Sequence, residues 1–333
     1  MNVSNINVPV NACRTETYDL ETDGQLIMTI GRGTVIGSAS LNSALSSNVH
    51  IGQFCTLGNN VVFSLPVSRD FRNVTFSSDM LVTLLPGTVL NSDNRINGQI
   101  IIQNDVWIGD NVTIMGGVKI GCGAVITANS HIDRDVLPYA IVGGNPAVVT
   151  GQRFNDQQVA DMLDIAWWNR SDSELIDMKP DFAFPIQDFI AKHRAVPARR
   201  EKQSATGKKR ILLFPDFGRA DSLWERVMTE YCELSSCCNA IGQLVICVTD
   251  DENTSRNIGQ LQDVFGRFSE DTGDIVVKVI GSGDDAELFA EADLYVTTKE
   301  KYTVKHSCLA DLYGVGIISG ADMPDVFGEL FKK

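Results

Sequence analysis

Every sixth residue from 102 to 132 is isoleucine: Ile102, Ile108, Ile114, Ile120, Ile126 and Ile132. A spacing of six matches neither the 3.6-residue helix nor the two-residue strand. It suits a solenoid in which each six-residue step is a short strand plus a corner, and three steps close one triangular coil. Each Ile then points inward and stacks on the Ile eighteen residues later. A second inward register lies two residues earlier, at Val106, Val112, Val118, Ala124 and Ser130. These side chains are small or β-branched, as a narrow core between flat strands requires. Gly109 and Gly121 follow two of the isoleucines, where a side chain would obstruct the turn.

The register begins at Ile30 and Ile36, slips through LNSALSSN, and resumes at Ile51, Leu57 and Phe63. Residues 1–27 show no period and are expected to form an arm or cap. Between Phe63 and Ile102 the ladder is interrupted, so 64–101 is expected to leave the coil as an excursion loop; loops of that length usually carry function. The coil is expected over 28–154. Residues 155–193 read as helices, with FNDQQVADMLDIAWWNR an amphipathic stretch suited to closing the mouth of the solenoid. Uncapped solenoids expose an apolar end and an open strand edge.

Residues 194–210, RAVPARREKQSATGKKR, carry seven basic residues and one acid and read as a linker. From Ile211 the pattern changes. ILLFPDFG, LVICVTDD, IVVKVIGSG, LYVTT and GIISG read as apolar strands alternating with helices near 221–239, 254–268, 284–291, 304–314 and 323–331. That alternation predicts a small α/β doubly wound, Rossmann-like domain over 211–333. Ligands of such sheets bind beyond the carboxyl ends of the strands, here marked by Asp216, Asp250, Asp251, Ser282, Asp284 and Thr298.

A formal charge of −14 argues against non-specific binding to nucleic acid or an anionic membrane. No apolar run approaches the roughly 18 residues that span a bilayer, and MNVSNINVPVNACRTE lacks the basic and apolar regions of a secretory signal. The eight cysteines include no CxxC pair; Cys55, Cys122 and Cys247 lie in apolar, strand-like surroundings. Buried thiols in a reducing cytoplasm are therefore expected, with neither zinc nor disulfides.

With the register set, SNVHIGQFCTLGNNVVF, NGQIIIQNDVWIGDNVTIMGGVKIGCGAVITANS, DVLPYAIVGGNPA and RFNDQQVADMLDIAWWN together resemble the xenobiotic (chloramphenicol/streptogramin-type) acetyltransferase group of the hexapeptide-repeat acyltransferases. The resemblance covers about residues 28–193. It implies a left-handed parallel β-helix, a homotrimer, and acyl transfer from acetyl-CoA to a hydroxyl or amine. The handedness comes from the resemblance, because crossovers between parallel strands are ordinarily right-handed. By position, Gly116, Gly117, Thr127, Ala128, Asn145 and Pro146 would face the pantetheine arm, and Lys119 and Arg153 the phosphates. Trp107, in an outward register, reads as a subunit-packing residue. Val148 stands where members of this group usually carry a basic residue after NPA.

Acyl transfer needs a base for the acceptor's proton and donors for the oxyanion. In relatives of this type the base is a histidine at the start of the excursion loop. Aligned on that pattern, RDFRNVTF places Arg69 at the histidine position, followed by Asp70. Arginine stays protonated at neutral pH. Among the four histidines, His50 and His131 each precede an inward Ile and so point out of the prism, whereas His193 and His306 lie outside the coil. His131 and Asp70 are the candidate bases. The C-terminal GSGDDAELFAEADLYVTTKEKYTVKHSCLADLYGVGIISGAD also resembles half of a two-domain glycosyltransferase, with Glu300 present and Cys308 where a second glutamate often stands. The expected function is a cytoplasmic acetyltransferase acting on a sugar-containing acceptor, in surface-polysaccharide assembly. The alternative is a trimeric scaffold that has lost catalysis.

Overall fold

The computed structural model describes residues 5–8, 16–43, 47–65, 67–68, 95–96, 98–194, 209–237, 242–268, 274–281, 285–322 and 326–327. From Ile100 to Ile132 each six-residue step is a strand of two or three residues followed by a corner, and successive strands fall on successive faces of a prism. The first face pairs Gln25–Ile30, Val49–Ile51, Ile100–Ile102 and Lys119–Ile120 in parallel. The second pairs Val35–Ile36, Thr56–Leu57, Trp107–Ile108, Val125–Ile126 and Ala140–Gly144. The third pairs Ala39–Ser43, Val61–Leu65, Thr113–Met115 and His131–Ile132.

The expected stacking is observed: Ile102 faces Ile120, Ile108 faces Ile126, and Ile114 faces Ile132. The columns continue into the earlier coils through Ile51, Leu57 and Phe63. Val106, Val112, Val118, Ala124 and Ser130 are buried beside them. The slip has a simple cause. Ile30 pairs with Ile51 and Ile36 with Leu57, so this one coil takes twenty-one residues.

Corners depend on the left-handed backbone region at Asp105, Asn111, Gly117, Gly123 and Asn129, again six apart, with φ of 58°, 58°, 82°, 67° and 61°. Asn and Asp enter this region more readily than other side-chain-bearing residues. The Asn side chains also bond from coil to coil, Asn60 to Asn111 at 3.0 Å and Asn111 to Asn129 at 3.2 Å. Gly109 is needed for a different reason, since a Cβ there would lie 2.7 Å from the backbone nitrogen of Ala128 in the next coil. Its hydrogen is what permits that approach.

Two expectations change. Residues 1–27 are not simply an arm, because Tyr18–Thr22 pairs antiparallel with Gln25–Ile30 and Asn5–Val8 pairs antiparallel with Ala39–Ser43. The helices Asp156–Ile165, Asp172–Met178 and Ile186–His193 do not sit over the mouth. They lie along the corner between the first and second faces, where Trp167 meets Phe54 (5.1 Å between ring centroids) and Phe154 meets Tyr139 (5.2 Å). Arg32 ties them there through Asp172 (2.6 Å) and the Trp168 carbonyl (3.1 Å). Aromatic side chains leaving that corner supply the apolar surface that an amphipathic helix needs. The last coil ends instead in the antiparallel hairpin of Ala140–Gly144 and Ala147–Gln152. Among the described residues no helix is long and apolar enough to cross a membrane.

Beyond the helices, five parallel strands run in the order Ile275–Ile280, Gln243–Thr249, Arg210–Leu213, Leu294–Thr297, Gly316–Ser319. One hydrophobic cluster covers each face, built on Trp224, Val227, Leu261 and Val264 on one side and on Leu288, Phe289 and Ala310 on the other. The helix expected near 323–331 falls mostly outside the described residues, as does the linker from 195 to 208.

This sheet unit packs on the outer surface of the first prism face, using the helix Thr303–Tyr313 and the loop after Leu294–Thr297. The contact is a buried polar network. Gln99 donates from Nε2 to the Thr298 carbonyl and to Asn48 Oδ1 (both 2.8 Å) and accepts from Thr297 Oγ1 (2.5 Å). Gln103 donates to Asp311 (2.7 Å), and Lys119 is ion-paired with the same carboxylate. On the N-terminal hairpin, Asp221 accepts from the Leu26 amide (3.0 Å), and Arg219 pairs with Glu21 (2.7 Å). Buried polar groups cost free energy unless bonded; most of this network is paired, while Arg219 Nε and Asp221 Oδ1 lie 3.5 Å apart without a hydrogen bond. His50, expected to point out of the prism, does leave it but is 1 % exposed beneath this unit. Desolvation holds its pKa at about 4, and Nε2 lies 3.0 Å from Asn48 Nδ2.

Truncating an inward residue should be costly. Ile108→Ala is expected to lose about 2–5 kcal/mol of stability in urea denaturation, whereas Trp107→Ala, outward and 46 % exposed, should cost less than about 1 kcal/mol in the isolated chain. His50 generates a pH dependence. Its folded pKa is depressed, so the unfolded chain takes a proton first as pH falls. Stability is full above about pH 6.5 and is lost progressively towards pH 4. Thermal midpoints measured between pH 7 and pH 4.5 should fall more steeply for wild type than for His50→Gln.

Candidate functional site

The positions expected to face a pantetheine arm divide between two corners of the prism. Gly116 and Gly117 follow the third-face strand Thr113–Met115, and their amides bond to the Ser64 carbonyl (2.7 Å) and the Gly98 carbonyl (2.9 Å). They therefore stand where the excursion loop leaves and re-enters the coil. Thr127 and Ala128 occupy the corner between the second and third faces. The hairpin turn carrying Asn145 and Pro146 lies beside them, since the Thr127 amide bonds to the Val142 carbonyl at 2.9 Å. Ser130 joins the two parts, donating to the Thr127 carbonyl (2.6 Å) and accepting from the Gly144 amide (3.2 Å). Sequence reading placed Ser130 only in the inward register; its hydroxyl, among apolar neighbours in that register, was the available signal.

Both groups thus border the third face, one at each edge. His131 lies on that face, in the strand His131–Ile132 with Thr113 as its neighbour. It is half-buried, and its imidazole has no hydrogen-bond partner among the described residues. The remaining histidines are committed elsewhere. His50 is sealed under the sheet unit, and His193 lies 2.9 Å from Asp181 among the corner helices. His306 is held between Glu300 and Asp285. Asp70 and Arg69 lie outside the described residues.

The phosphate candidates are placed otherwise than expected. Lys119 lies on the covered first face with its ammonium paired to Asp311, a partner supplied by the sheet unit from 192 residues away. Arg153 sits at the corner between the first and second faces, donating to the Gly123 carbonyl (2.7 Å) and lying over the Tyr139 and Phe154 rings (5.2 and 5.3 Å). Its guanidinium also approaches Asp105 at 3.5 Å. Both cations are therefore spent on the chain's own structure, and neither borders the third face. Among the described residues no cluster of side chains suited to a metal ion is found.

Comparison with known proteins covers part of the chain. No family model matches the chain. Over 123 residues it is 39 % identical to the chloramphenicol acetyltransferase of Agrobacterium fabrum, covering 35 % of this chain and 58 % of that protein. It is 51 % identical over 80 residues to a probable macrolide acetyltransferase of Lysinibacillus sphaericus (24 % and 44 %) and 35 % identical over 121 residues to the galactoside O-acetyltransferase of Escherichia coli (33 % and 57 %). The chain spans about half the length of these curated relatives. The solved polysialic-acid-specific acetyltransferase overlays with a TM-score of 0.31 at 27 % identity, over 49 % of this chain and 62 % of that one. Part of the chain is thus similar to the xenobiotic acetyltransferase group of the hexapeptide-repeat acyltransferases.

Proposed function

We propose that the protein transfers an acetyl group from acetyl-CoA to a hydroxyl or amine of a sugar-containing acceptor, within a homotrimer of left-handed β-helices, in surface-polysaccharide assembly. The observation that carries this reading is the likeness of about a third of the chain to curated acetyltransferases, among them an enzyme named for a galactoside. The covered first face supports a division of labour. The first face holds the sheet unit, a Rossmann-like appendage in this reading, and leaves the second and third faces for neighbouring copies. Trp107 on the second face and His131 on the third are the outward residues suited to that contact. Gly116, Gly117, Thr127, Ala128, Asn145 and Pro146 would line the two sides of a cleft between copies, with the coenzyme between them.

In this arrangement His131 is the base. It takes the proton from the acceptor as the nucleophile attacks the thioester carbonyl; the Gly116 and Gly117 amides are already bonded within the coil, so the oxyanion's donors would come from elsewhere in the cleft. Asp70 is the alternative base, in the loop that starts at the same edge. With Lys119 and Arg153 engaged internally, the coenzyme's phosphates would need other cations or another copy of the chain. That engagement favours the competing reading, a trimeric scaffold without turnover.

The test is acetyl-CoA-dependent acetylation of a sugar and aminosugar panel by wild type, His131→Ala and Asp70→Asn, with thermal midpoints measured in parallel. His131→Ala is expected to lower kcat/KM by about 10²–10⁴-fold with the midpoint unchanged. Loss confined to Asp70→Asn would move the base into the loop. Absence of acetyl-CoA binding by calorimetry would replace the enzyme with the scaffold.

A further inference from the structure

The sheet unit holds a cavity of about 610 Å³ where its strand order reverses, beyond the carboxyl ends of Arg210–Leu213, Gln243–Thr249 and Leu294–Thr297. Parallel sheets place ligands at such a point because the chains leaving neighbouring strands diverge there. Which groups around it remain unoccupied decides what it would take.

Its carboxylates are already engaged. Asp216, buried, accepts from the amides of Leu223, Trp224 and Lys299 at 2.9–3.1 Å. Glu300 and Asp285 hold His306 from either side of its ring, at 2.8 and 3.6 Å, and Asp285 is also paired with Lys305. Burial would push the His306 pKa down, but these two carboxylates override it and raise it. Asp251 accepts from the Asn253 amide at 2.8 Å. Asp19 accepts from Thr29 Oγ1 at 2.8 Å.

The unoccupied groups are of another kind. Asn253, Arg256, Asn257 and Gln260 recur at helical spacing along one side of Thr254–Phe265 and its cap and line the cavity, while Leu261 and Val264 of the same helix are buried in the core. Their side chains have no hydrogen-bond or ion-pair partner among the described residues. Across the cavity Lys301 makes no ion pair there either, and its ammonium lies 4.7 Å from the centroid of the Tyr302 ring, which is 43 % exposed. Arg256 and Lys301 are the cavity's cations without an ion pair among the described residues, and they face carboxylates of Asp216 and Asp251 that are held by neutral amides. Amides both donate and accept, as sugar hydroxyls do. An exposed tyrosine offers a flat apolar face for a sugar ring, and an arginine with a lysine fits a phosphate or carboxylate.

We propose that this cavity binds a sugar carrying one anionic group, with Arg256 and Lys301 on the anion, Asn253, Asn257 and Gln260 on the hydroxyls, and Tyr302 against the ring. The site needs no acetyl-CoA, so its failure and that of the acetyltransferase reading are separable.

The test is isothermal titration calorimetry on the full chain without acetyl-CoA, using N-acetylglucosamine 1-phosphate, glucuronate, neutral N-acetylglucosamine and inorganic phosphate. At least one of the two anionic sugars is expected to bind with Kd below about 1 mM, the phosphate or the carboxylate arm identifying the anion. The neutral sugar and inorganic phosphate should each bind at least tenfold more weakly. Arg256→Gln and Lys301→Gln should each weaken the anionic sugar about tenfold or more with an unchanged thermal midpoint, since both side chains are exposed. Inorganic phosphate binding as tightly as the sugar phosphate would mean an anion site only and overturn the proposal. So would equal binding of the neutral sugar, no binding of either anionic sugar, or affinity indifferent to both substitutions.

Discussion

The contact between an inward aliphatic side chain and its counterpart one coil later is what the remaining structure depends on. Each of the three columns, exemplified by Ile51, Ile102 and Ile120 on the first face, is a line of fully buried residues at fixed strand spacing. Burying one such side chain is worth roughly 1.5–3 kcal/mol, and repetition makes the prism rigid along its axis. Rigidity permits the corners. Left-handed backbone at Asp105, Asn111 and Asn129 is unfavourable for an isolated residue, and here the strands on either side and the Asn ladder impose it.

A prism of this kind has three outer walls, and their differing cover shapes the function. The first wall is buried under the sheet unit through Gln99, Gln103, Lys119 and His50. Such a contact is specific more than adhesive, because each buried polar group demands its own partner. It also uses Lys119, a charge that would otherwise be available to a ligand. The third wall keeps His131 accessible between two ligand-suited corners, while the second presents Trp107. Chemistry proposed for the third wall and binding proposed for the sheet unit therefore use separate surfaces.

Much of the prism was legible because the period is local. Ile102 to Ile132 named the faces, and the residues two before each Ile named the rest of the inward set. The early strands were harder to read. Leu26, Met28 and Ile30 alternate with period two in Gln25–Ile30, and only pairing with Val49–Ile51 makes that strand part of the coil. Amphipathicity announced the helices after 155 but not where their apolar side would rest, which Phe54 and Tyr139 decide from different coils. Outward direction was inferred correctly for His50 and His131, yet direction alone does not distinguish a wall under the sheet unit from an open one.

By itself the sequence determined the repeat, the inward columns, the glycine needed where coils approach at Gly109, and the change of grammar near Ile211. All of these follow from spacing within a few tens of residues, where side-chain volume and backbone sterics act directly. Only the tertiary structure decided that His50 is sealed and His131 is not, that Lys119 answers Asp311 and Arg153 answers Gly123, and that Asn253, Arg256, Asn257 and Gln260 face a cavity with Lys301 and Tyr302. Those outcomes join residues far apart in the chain. Whether a charge or an imidazole is free depends on which distant group comes within hydrogen-bonding reach.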